Sequence, residues 1–172
     1  MLDRRRLLQG SAALALAGPG RSAFAQEPAV PIVFVHGDSE LAATWETQIW
    51  RFESNGYPRD RLFAISFTDP QARDDDTVAQ VNRSSTADQL RELTAFIDDV
   101  KAKTGAPKVA IVALSRGGYA TREYVAAHPG SVAKAALGGT PNHGVWATDF
   151  RLAANTTAVA LFSRSSMLAT RK

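Results

Sequence analysis

Ser115 stands in the stretch Val112-Ala113-Leu114-Ser115-Arg116-Gly117-Gly118-Tyr119-Ala120, between an apolar run and a pair of glycines. A serine hydroxyl is a weak nucleophile at neutral pH. It needs exposure and a neighbouring base to attack a carbonyl carbon. A sharp turn from strand to helix supplies the exposure, because it pushes the side chain out over the sheet. Such a turn crowds the residues two before and two after the serine, so both must be small. Here they are Ala113 and Gly117. The same turn leaves the serine at a helix N-terminus, where the next backbone N–H and the helix dipole face any developing oxyanion. A serine after a strand is also a common helix cap. The motif decides little without its surroundings.

Two further stretches supply those surroundings. Val33-Phe34-Val35-His36-Gly37-Asp38 ends an apolar run in a His-Gly pair, and Gly138-Gly139-Thr140-Pro141-Asn142-His143-Gly144 is a glycine-rich turn. Each follows a segment with strand character. Pro31 to His36 and Lys108 to Leu114 are short apolar runs of the kind a buried parallel strand uses. Arg61 to Phe67 is a third strand candidate, and the alanine-rich Val132 to Leu137 a fourth.

Helices are expected between them. Leu41 to Ser54 places Trp45, Ile49, Trp50 and Phe52 in a partly helical pattern, and both tryptophans are read as core. Ser85 to Thr104 carries one apolar stripe of Leu90, Leu93, Phe96, Ile97 and Val100, with Gly105 suited to a left-handed cap. Tyr119 to His128 is an amphipathic candidate. Asp69 to Arg83 is polar and reads as a surface loop. Asp74, Asp75 and Asp76 within it read as a solvated run, because consecutive side chains splay apart. Alternating strands and helices imply crossover units and a mostly parallel sheet. In such sheets ligands bind beyond the carboxyl ends of the strands. That topology brings His36 and Ser115 to one edge.

The three stretches together resemble the α/β-hydrolase superfamily, and within it bacterial lipases and esterases. Ala113-Leu114-Ser115-Arg116-Gly117 is similar to the nucleophile elbow in its alanine variant. The resemblance implies an α/β-hydrolase fold, a mostly parallel sheet flanked by helices, cleaving carboxylic esters through an acyl-enzyme on Ser115. It implies backbone N–H donors from Asp38 and Arg116 for the oxyanion. His36, Gly37 and Gly117 take supporting roles, with His36 a buttress rather than a proton shuttle. The Asp38 carboxylate must then point away from the developing charge. The same scaffold serves polyester depolymerases, acyltransferases and non-catalytic binding proteins.

The family order is serine, then acid, then histidine. After Ser115 come only Glu123, His128, His143 and Asp149. Glu123 and His128 are expected to point away from the serine, and His143 to sit on the rim. The expectation is that residues 26–172 form the N-terminal part of a hydrolase domain, incomplete at the C-terminus. Thr156 to Arg171 would begin a lid or cap. Val132 to Leu137 would be an exposed edge.

Composition narrows the rest. The chain has 172 residues, 45% of them hydrophobic, enough for one domain. It has no cysteine and three histidines, so no thiolate metal site is proposed; neither a metal nor a cofactor is expected. The net charge of +3 arises in the first 25 residues, where Arg4, Arg5, Arg6 and Arg21 face only Asp3. The remainder is neutral, which argues against nucleic-acid binding. Residues 1–25 read as a twin-arginine signal peptide: Arg4-Arg5-Arg6, an apolar run to about Ala17, and Ala23-Phe24-Ala25 as the cleavage site. Its apolar run is too short to span a bilayer. The expected location is periplasmic or secreted. The expected partner is a small-molecule or lipid ester, with transient contact at a lipid interface.

Overall fold

The computed structural model describes residues 28–75 and 77–142. The leader, Asp76, His143, Asp149 and the segment expected to begin a lid lie outside them. Strand β1 (Ile32–Val35) leads through a 3-10 turn (Ala42–Trp45) into helix α1 (Glu46–Ser54) and strand β2 (Leu62–Ala64). A ribbon of β3 (Gln71–Ala72) and β4 (Arg83–Ser84) follows, then α2 (Thr86–Thr104), β5 (Val109–Leu114), α3 (Gly117–Ala127) and β6 (Val132–Gly138). The main sheet has the order β2-β1-β5-β6 and is parallel throughout.

Both faces of β1 and β5 are covered, and alternate side chains divide between two cores. Val33 and Val35 of β1, with Val109, Ile111 and Ala113 of β5, pack against Leu93, Ile97 and Val100 of α2 and Ala120 and Tyr124 of α3. Ile32 and Phe34 face the other way, onto Trp45, Ile49 and Leu62. A two-residue period buried on both sides explains why these strands read as continuous apolar runs.

Helix α2 is fastened at both ends. Ser85 Oγ accepts the Asp88 N–H, and the Asp88 carboxylate accepts the Ser85 N–H, which closes a capping box. Gly105 ends the helix at φ 66°, in the left-handed cap its sequence position suggests. Burial opposes ionisation of Asp88. The Ser85 N–H and hydroxyl, with Arg91 and Arg73, nevertheless hold its pKa down to about 2.

Four sequence expectations need correction. Strand β2 stops at Ala64 rather than Phe67. The Ile65 N–H still reaches the Phe34 carbonyl, but the Phe67 N–H donates to the His36 ring, so the chain has left the ladder. The segment read as a loop from Asp69 to Arg83 contributes to the parallel β3–β4 ribbon. Trp45 is buried as expected, but Trp50 is 59% exposed. Trp45, Ile49 and Phe52 make the inward stripe at helical spacing, and Trp50 falls beside it. Helix α3 begins at Gly117, not Tyr119. Among the described residues β6 stands at the end of the sheet order, with Ala133 to Ala136 exposed.

Candidate active site

The connections out of β1 and β5 diverge. The chain leaves β1 for β2 on one side and leaves β5 for β6 on the other. The crevice between the carboxyl ends of β1 and β5 is therefore a topological switch point, where open α/β sheets bind ligands. His36 and Gly37 follow β1, and Ser115 follows β5. The two loops touch: a Cβ added to Gly37 would lie 3.1 Å from Ser115 Cβ.

Ser115 has φ 49°, in the left-handed region that a non-glycine residue rarely adopts. The strain is held by specific contacts. The Ser115 N–H donates to the Gly138 carbonyl at 2.8 Å, and its carbonyl accepts the Gly118 N–H and the Thr140 hydroxyl at 3.1 and 3.0 Å. The residue at the cap of α3 is Arg116, with no side-chain cap bond, so Ser115 does not serve as a helix cap. Two glycines let the turn close. A Cβ on Gly117 would lie 2.3 Å from the His36 carbonyl oxygen, and one on Gly118 would lie 2.1 Å from Thr140 Oγ1. Backbone and side chain fill the space that any larger residue would need.

His36 is fully buried. Its Nδ1 lies 2.8 Å from the Gly37 carbonyl, and its Nε2 accepts the Phe67 N–H at 3.1 Å. Those partners assign the proton to Nδ1 and leave the ring neutral. Burial lowers its pKa, against the Gly37 carbonyl and the Glu40 charge, which raise it. With both nitrogens engaged, the ring braces the loop and has no lone pair for Ser115.

The Asp38 side chain turns away from the serine. Its Oδ1 accepts the Ala72 N–H at 2.8 Å and lies 3.6 Å from Arg116 Nη1. Its own N–H meets no acceptor among the described residues. Glu40 carries a role that the motif reading missed: its Oε2 accepts the Gly37 N–H at 2.8 Å, beside Ser115. An acid three residues after the glycine is the only trace this leaves in the sequence. Thr140, inside the glycine-rich turn, is a second unread contributor. Arg122 is a third, and holds that turn through the Asn142 carbonyl and Oδ1.

On α3, His128 stacks on Tyr124 at the far end of the helix. Among the described residues no group of three His, Cys, Asp or Glu side chains could hold a metal ion. The structure thus brings His36, Gly37, Asp38, Ser115, Arg116 and Gly117 to one crevice. It places no second histidine there among the described residues.

A parallel sheet whose inner strands are covered on both faces, with a strained serine at a strand–helix turn over a His-Gly loop, is the α/β-hydrolase fold. The family model described as "Lipase (class 2)" matches residues 29–155, and the chain belongs to that family. Its structure is similar to that of the lipase BlEst2 of Bacillus licheniformis in mature form. The TM-score is 0.59 and the identity 22%, over 83% of this chain and 58% of that one. The propeptide form of that lipase gives 0.59 and 23%, over 83% and 32%. The lin2722 gene product of Listeria innocua gives 0.52 and 18%, over 70% and 55%. At these identities the likeness is one of fold. The chain spans a little over half the length of the mature lipase.

Proposed function

We propose that this chain carries the nucleophile and oxyanion loop of an exported carboxylic ester hydrolase, of lipase or esterase type. The observation that carries the reading is Ser115 at φ 49°, pressed against Gly37 at the switch point. Ser115 Oγ attacks the ester carbonyl and loses its proton to a base. The carbonyl oxygen, now negative, is met by the N–H groups of Asp38 and Arg116 at the start of α3. The alcohol leaves with a proton, and water releases the acid from the acyl-enzyme. The base is supplied by a residue other than those described, because both His36 nitrogens are engaged and His128 lies at the far end of α3. The substrate is a small-molecule or lipid ester. Residues 1–25 direct export, and the mature chain begins at Gln26.

The test is made on the intact protein. It should hydrolyse p-nitrophenyl butyrate and be labelled at Ser115 by a fluorophosphonate. Ser115→Ala should remove the label and lower turnover by about 10^4-fold or more. A folded protein that does neither would instead support a binding role for the same crevice. Replacing Arg4 and Arg5 by lysine should retain the precursor in the cytoplasm; undiminished export of that variant would refute the leader assignment.

A further inference from the structure

The side chains of Asp38 and Arg116 meet, with Arg116 Nη1 3.6 Å from Asp38 Oδ1. Arg116 is only 5% exposed. Its Nη1 donates to the Pro70 carbonyl at 3.2 Å and to Ser84 Oγ at 3.3 Å, and its Nη2 donates to the Ser84 carbonyl. Asp38 takes the Ala72 N–H, and the Ser39 N–H donates to the Pro70 carbonyl at 3.1 Å. Ser84 Oγ in turn donates to the Asp69 carbonyl. One short ribbon therefore grips the residue after Gly37 and the residue after Ser115.

Burying a guanidinium is costly unless its donors are satisfied, and an apolar side chain would fill the same space without that cost. What an apolar residue could not do is bind the Pro70 carbonyl, the Ser84 carbonyl and the Asp38 carboxylate at once. We propose that Arg116 is a positioning residue: through the β3–β4 ribbon it sets the spacing between the N–H groups of Asp38 and Arg116 that receive the oxyanion. It also faces the Asp38 carboxylate, which keeps that charge turned from the developing negative oxygen. The inference rests on the proposed reading of those two N–H groups.

The experiment compares the intact protein with Arg116→Ala and Arg116→Lys. Misplaced donors weaken the transition state more than the ground state. Arg116→Ala should therefore lower kcat roughly tenfold to a hundredfold while KM stays within about twofold. Added guanidinium ion should restore part of the loss, and ammonium should not. Arg116→Lys, with one cationic donor group, should fall between. Amide hydrogen exchange gives a readout that needs no turnover. In Arg116→Ala the amides of Ser39 and Ala72, bonded to the Pro70 carbonyl and to Asp38 Oδ1, should exchange faster, while those of β5 stay protected. If the wild-type protein neither hydrolyses esters nor labels at Ser115, the proposed function fails and the exchange data alone judge the clamp. Unchanged exchange at these amides overturns it whatever the activity. So does a loss confined to KM, or one that guanidinium does not relieve.

Discussion

Gly117→Ala adds one methyl group where the elbow comes closest to another stretch of backbone. Local propensity favours the change, because alanine in a helix is better than glycine by up to about 1 kcal/mol. Packing opposes it. The new Cβ would stand 2.3 Å from the His36 carbonyl oxygen, 3.1 Å from the Val35 carbonyl oxygen and 3.0 Å from Val35 Cγ1. The first distance is roughly 1 Å inside normal contact. None of these atoms can step aside, because Val35 is fully buried and belongs to the central strand β1. The start of α3 must lift, against a buried Tyr119, Ala120 and Thr121. Overpacking of this kind costs about 1–3 kcal/mol, and backbone on both sides puts this case at the upper end. A loss of about 3 kcal/mol lowers the melting temperature of a chain this size by roughly 6–12 °C. Urea unfolding followed by tryptophan fluorescence measures it. Gly130→Ala is the control, since a Cβ there meets nothing within 4 Å, and it should change stability by less than about 0.5 kcal/mol. If Gly117→Ala unfolds at the same urea concentration as wild type, or higher, the close approach of elbow and His-Gly loop is wrong.

Ser115→Gly should raise unfolding stability by about 1 kcal/mol, because glycine takes a φ of 49° without the Cβ penalty; Ser115→Ala should not, and equal stabilities for the two variants would remove the strain argument. The neutral His36 ring is favoured in the fold, so its folded-state pKa lies below the ordinary 6.5. Its contribution is complete above 6.5 and is lost as pH falls from 6.5 through the folded value. Urea unfolding at a series of pH values should show that loss in wild type and not in His36→Gln, and parallel profiles would count against a neutral buried ring. Ser85→Ala opens the capping box of α2 and should cost about 1 kcal/mol in the same assay, whereas an unchanged midpoint would mean that the cap is idle.

The strands that hold the crevice were legible because burial on both faces writes itself as an unbroken apolar run. Strands β1 and β5 came within a residue or two of their sequence-read bounds. Helix α2 was equally plain, since Leu93, Ile97 and Val100 lie on one stripe and Gly105 marks its end. The elbow was legible because crowding demands small residues at 113 and 117. The ribbon was not. Two-residue strands carry no periodicity, and what holds them is side chains from elsewhere and within, Arg116 on Ser84, Asp38 on Ala72 and Arg83 on Ala72. Arg116 itself was read only for its backbone, since a motif position marked as variable says nothing of its side chain. Trp50 was misplaced because aromatic character alone does not say on which side of a helix stripe a residue falls. Glu40 went unread because a bond from a carboxylate to an N–H three residues earlier is set by loop geometry, which a single sequence does not display.

The order of strands has a kinetic consequence. Strand β1 pairs with β2 across the short excursion from Ile32 to Leu62, and β5 pairs with β6 from Val109 to Val132. Each of these two units can close locally around its own helix. The pairing that makes the crevice, Ile32 with Ala110, spans a loop more than twice as long as that from Ile32 to Leu62. That adds roughly 0.8 kcal/mol of closure entropy. His36 and Ser115 meet only at this late seam. On a chain emerging from the ribosome, β1 and its His-Gly loop therefore wait, solvated and without a partner across the crevice, until some eighty further residues have been made. The interval in which β1 lacks its β5 neighbour is set by the rate of synthesis rather than by the rate of collapse.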